Sequence, residues 1–144
     1  MAVAALTLWE AYERFRVDPP QAIPFWVWLL ENPDSPLRFP GQVSLQHHDF
    51  LHLILGLGVD REAEAEVVGW SIGNDPSLQV WQVCVFLWVA MTLYPEPYRF
   101  RWQDLPFFFH GLWQGRQVPR VSWDSLDPNQ PLDDVRREVL GING

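Results

Sequence analysis

The chain has 144 residues, enough for one domain with a sizeable buried core and no need of covalent staples. Its net charge is −8 and its ten cations are all Arg. An acidic chain without a basic stripe argues against a nucleic-acid partner, because phosphate binding is driven by clustered cations that release counterions. Arg99 with Arg101, and Arg116 with Arg120, are small basic groups that read as solvated or ion-paired surface.

Prolines cut the sequence into helical segments. The first helix is expected over Val3 to Phe15, with Leu8, Tyr12 and Phe15 apolar, and Pro19-Pro20 stop it. A short apolar helix follows from Pro24 to Leu30, closed by the turn cluster Asn32-Pro33-Asp34-Ser35-Pro36, and the stretch Leu37 to Val43 reads as irregular. Ser44 is the expected N-cap of a third helix that ends at Leu55 before Gly56 and Gly58. Asp60 caps a fourth through Ile72, with acids in its first turn where the helix dipole favours them. Gly73-Asn74-Asp75-Pro76 is the next break.

Ser77 to Leu93 forms the fifth helix. Within it Val80 to Leu93 is almost wholly apolar and reads as a buried central helix, since 14 residues of helix reach only about 21 Å against a hydrocarbon thickness of roughly 30 Å. Cys84 lies in that run. As the one cysteine it excludes an intramolecular disulfide and is expected to be a small core hydrophobe in a reducing compartment. Asp104-Leu105-Pro106 opens a sixth helix that fades at Gly115, Val118 to Pro128 is loop, and Pro131 opens a final amphipathic helix with Leu132, Val135, Val139 and Leu140 inward. Trp70, Trp81, Trp88 and Trp113 fall on these helices and read as core. The expected fold is all-α: a single-domain bundle of six to seven helices. The N-terminal residues lack the signature of a secretory signal, so the expected location is cytoplasmic.

The most specific pattern is His48-Asp49-Phe50-Leu51-His52. Residues four apart on a helix lie one above the other, so His48 and His52 share a face, the two-histidine half of many helix-borne metal sites. Asp49 is either a third ligand or the partner of an imidazole's second nitrogen. An antiparallel hairpin about Gly56 and Asp60 would set Glu64 at the height of His52, while Glu62 and Glu66 would point elsewhere. The alternative for the pair is two hydrogen-bonded core histidines. The apolar setting of Leu45, Phe50, Leu51, Leu53, Ile54 and Leu55 favours a metal, because burying these polar groups is costly unless they are paired or ligated. His47 would face away as a surface residue, and His110 reads as a partly buried core histidine.

The same string, followed after eleven residues by Glu64, resembles the signature of the coenzyme Q biosynthesis protein 4 family. The likeness runs through Gly56-Leu57-Gly58-Val59-Asp60 and resumes at Pro131-Leu132-Asp133-Asp134-Val135-Arg136-Arg137-Glu138-Val139-Leu140-Gly141-Ile142. It implies an all-helical fold and a divalent metal, usually zinc, held by His48, Asp49, His52 and Glu64; iron, manganese and cobalt also suit such ligands. It further implies C1 decarboxylation of a polyprenylated hydroxybenzoate ring, with hydroxylation at that carbon also attributed to the family, partner proteins of a biosynthetic complex and binding of a prenyl tail. Separately, the apolar Val80–Leu93 run leaves peripheral contact with a membrane open, without electrostatic help from cations. A homodimer is a further expectation. Two rivals remain: a non-catalytic prenyl-lipid binder or scaffold with a structural metal, and an HD-type metal phosphohydrolase, which needs further His and Asp ligands on other helices.

Overall fold

In a computed structural model, residues 4–15, 24–37 and 39–141 are described. Among them are seven α-helices: α1 (Leu8–Phe15), α2 (Phe25–Glu31), α3 (Leu45–Leu55), α4 (Arg61–Asn74), α5 (Val80–Thr92), α6 (Leu105–Arg116) and α7 (Leu132–Leu140). The all-α expectation holds. The single β feature among these residues is an isolated bridge between Thr7 and Pro131. Val3, the Pro19-Pro20 stop and Ile142 lie outside the described residues.

The caps explain most boundaries. Ser44 Oγ accepts from the His47 amide at 3.1 Å, and Asp60 accepts from Ala63 at 2.9 Å, so both polar residues stand where α3 and α4 begin. Gly56 closes α3 in the left-handed region, φ +68°, which an L side chain adopts only with strain. Two starts fall later than expected because side-chain caps define them. Thr7 and Glu10 bond one another's amides at 3.1 and 2.9 Å, starting α1 at Leu8. At α5 the Gln79 amide donates to Gln82 Oε1 at 2.8 Å, while Asp75 holds Ser77 in the preceding turn.

The central helix is α4, not α5. Ten of its fourteen residues are buried, and its sides feed two separate cores. Val68 and Ile72 pack with Leu30 of α2, Phe86 of α5 and Phe108 of α6. Val67 and Trp70 pack with Leu8 of α1, Leu51 and Ile54 of α3, and Val135 of α7. By contrast α5 buries only Phe86, Val89 and Ala90. Its other face leaves Trp81 58% and Trp88 61% exposed, with Val80, Cys84 and Val85 also in the open. The expected core roles of Cys84, Trp81, Trp88 and Trp113 are therefore corrected; of the four tryptophans only Trp70 is buried. Apolar composition marks a helix that avoids water less reliably than neighbours that can reach it, and α5 is covered on one side alone.

Glycines set the tightest contact. Gly69 and Gly73 of α4 meet Gly111 and Gly115 of α6, and a Cβ at any of the four would run into a backbone carbonyl of the facing helix. The pairs Gly111 with Glu66 and Gly115 with Trp70 advance by four residues on both helices, so the two run parallel with backbones touching. The end of this pair is tied by Asn74, whose side chain donates to Gly115 and Pro119 carbonyls at 3.0 and 3.1 Å and accepts from Val121 N–H at 2.9 Å. Asn74→Ala is expected to cost about 2–3 kcal/mol in urea unfolding, since several buried backbone groups lose their partner together.

Candidate metal centre

The α3–α4 hairpin brings His48, His52 and Glu64 to one point. His52 Nε2 lies 3.2 Å from His48 Nε2, as the four-residue offset on one helix face predicts. Glu64, in the first turn of α4, sets Oε2 at 3.0 Å from His48 Nε2 and Oε1 at 3.1 Å from His52 Nε2. His52 is fully buried, its ring stacked on Phe15. Its Nδ1–H donates to the Gly58 carbonyl at 2.7 Å, which fixes the tautomer and leaves the Nε2 lone pair facing the cluster. The glycine turn thus orients a ligand as well as reversing the chain.

The donor set fits a divalent cation. One ligand atom from each of His48, His52 and Glu64 faces the same point, an arrangement that a positive charge between them satisfies. Donor atoms around a tetrahedral zinc with bonds of about 2.0–2.1 Å are spaced about 3.3 Å apart, close to the separations found. Without a cation the same groups lean on one another. Burial works against charge on His48, but the Glu64 hydrogen bond and the fields of Glu64 and Asp49 outweigh it and hold the imidazole above its ordinary 6.5. Burial also works against the Glu64 carboxylate, and the hydrogen bond from His48 leads the interactions that bring it down from 4.5 to about 2.

Asp49 does not join the three converging groups. It lines the cavity beside them, where its charge acts on His48. Glu66 points away, as expected, and bonds His110 at 2.7 Å. His110 is 59% exposed in this pair and so is not the core histidine the sequence suggested. His47 lies off the site, half-buried and stacked on Trp123. Among the described residues no other group of three or more His, Cys, Asp or Glu converges in this way.

The site opens on a cavity of about 490 Å³, within the usual size of small-molecule sites. Val27, Leu30, Val43, Val68, Ile72 and Phe100 give it apolar walls. Sequence reasoning passed over one polar pair in it. Glu31 ends α2 and accepts from Tyr94 O–H at 2.7 Å, across 63 residues of sequence. Burial raises the Glu31 carboxyl above the usual carboxylate range and pushes the Tyr94 phenol up as well. The available signal was a lone Glu ending the apolar run Phe25-Trp26-Val27-Trp28-Leu29-Leu30. The chain matches no protein-family model, no curated protein and no solved structure.

Proposed function

We propose that this chain is a divalent-metal protein of quinone or prenyl-lipid biosynthesis that removes the ring carboxyl of a hydroxybenzoate bearing a prenyl tail. The observation that carries the reading is the His48–His52–Glu64 group set in the wall of an apolar cavity. The resemblance of the His48-to-Glu64 string to the coenzyme Q biosynthesis protein 4 family supports the substrate class. His48, His52 and Glu64 would hold the cation, zinc being the expected one. Bound there, it would supply positive charge for the substrate's carboxylate or phenolate and for the charge left on the ring as CO2 departs.

The chain's own groups do the rest. His52, locked by Gly58, keeps its lone pair aimed at the site without a search through rotamers. Val68, Ile72 and Phe100 would seat the ring and the first part of the tail, and their apolar surface keeps water from the reacting carbon. The test is CO2 release from a short-chain prenyl hydroxybenzoate by the zinc-loaded protein, with His52→Ala alongside. Turnover by the native chain and none by the variant is expected; a His52→Ala protein that binds zinc and turns over substrate removes the reading.

The second reading, a non-catalytic prenyl-lipid binder or scaffold with a structural metal, is favoured by the bare apolar face of α5 at Trp81, Val85 and Trp88. A scaffold would lose thermal stability on chelation and have no turnover to lose.

A further inference from the structure

Decarboxylation leaves an electron pair on a ring carbon, and that carbon must receive a proton. The metal triad is poorly suited to give it. His52 Nδ1–H is committed to the Gly58 carbonyl, and its Nε2, His48 Nε2 and both Glu64 oxygens converge on the cation site. The cavity contains another polar group outside that cluster. Glu31 lines the same space as His48 and Glu64 and interacts electrostatically with both. Tyr94 O–H takes up its Oε2 at 2.7 Å, and the Tyr94 ring is itself 1% exposed and packed edge-on against Phe86. The glutamate head is therefore fixed from behind, and among the described residues Tyr94 is the one side chain hydrogen-bonded to it.

We propose that Glu31, oriented by Tyr94, is the proton donor of the cavity and completes the reaction begun at the metal triad. This rests on the decarboxylase reading above. In the step, the bond between the ring carbon and the carboxylate breaks, its electron pair stays on the ring, and CO2 leaves. The Glu31 O–H proton forms the new C–H bond, and Glu31, now a carboxylate, takes its next proton from water. No oxidant or reductant enters the balance. Burial raises the Glu31 carboxyl above the usual carboxylate range, the direction a proton donor needs. Glu31 is the catalytic residue in this assignment and Tyr94 a positioning residue that acts through it.

Glu31→Gln keeps the shape and the acceptor for Tyr94 but removes the proton. With the zinc-loaded protein and a short-chain prenyl hydroxybenzoate, kcat is expected to fall about 10²- to 10⁴-fold, the usual contribution of a positioned acid, while bound zinc and probe affinity stay at the native level. Tyr94→Phe, which keeps the buried ring, is expected to lower kcat by a smaller factor at unchanged KM. A readout independent of turnover is the infrared difference between native protein and Glu31→Gln at neutral pH, where the native chain is expected to show a protonated carboxyl band that the variant lacks. Absence of that band, or native turnover in Glu31→Gln, overturns the assignment to Glu31. Absence of turnover in the native chain overturns the decarboxylase reading and this step with it.

Discussion

Gly111→Ala is expected to destabilise the protein by about 3 kcal/mol, the upper end of what overpacking costs, read as a lower urea midpoint at unchanged slope. On an open helix face the same change stabilises by roughly 0.5–1 kcal/mol, so the sign itself is diagnostic. A Cβ at Gly111 would enter the space of the Glu66 carbonyl, and a backbone group inside a buried helix cannot swing aside as a side-chain tip can. The helices must separate, and every contact of Phe108 and Leu112 with α4 loosens. Native stabilities run about 5–15 kcal/mol, so this one methyl removes a large share. The site should suffer as well, for Glu64 lies two residues before Glu66 on the helix that is pushed. Gly69→Ala meets the Phe108 carbonyl and should act alike; the two belong to one contact, so their costs will not add simply. Unchanged or increased stability in Gly111→Ala would show that the helices do not touch as described.

How far the chain could be read depended on whether a signal was local. Ser44, Gly56 and Asp60 act on amides and carbonyls within a few residues, and they fixed the hairpin and hence the meeting of His48, His52 and Glu64. The Thr7–Glu10 cap is equally local, and it sets the start of α1 at Leu8 in place of Val3. Glycine carried two meanings. In the sequence Gly73 and Gly115 look like helix breaks, whereas the repeat at four-residue spacing in Gly69, Gly73, Gly111 and Gly115 marks close backbone contact. The charges of α4, Arg61, Glu62, Glu64 and Glu66, all lie in its first half, and they disguised a second half that is buried all round. Glu31 and Tyr94 were beyond reach because nothing near either residue announces the other; only the packing of α2 against α5 brings the ends of these segments together.

Zinc is expected to reverse the pH dependence of the site's stability, and this distinguishes a metal centre from a cluster of histidines. In the metal-free chain Glu64 is depressed from 4.5 to about 2, so its contribution is full above 4.5 and is lost as pH falls toward 2. His48 is raised above 6.5, so its contribution is full below 6.5 and is lost as pH rises through the higher folded value. The chelated protein should therefore lose stability from this site as pH climbs past 6.5. A bound cation requires neutral imidazoles, so the stability it adds grows over the same interval as protons cease to compete. At free zinc of about 100 Kd the gain is about 2.7 kcal/mol. Melting temperatures of chelated and zinc-loaded protein across this range should diverge with rising pH. Glu64→Gln, which keeps the shape but removes the charge between the imidazoles, should abolish most of the divergence. Parallel curves for the two native samples would leave His48, His52 and Glu64 as a hydrogen-bonded cluster and remove the metal from the account.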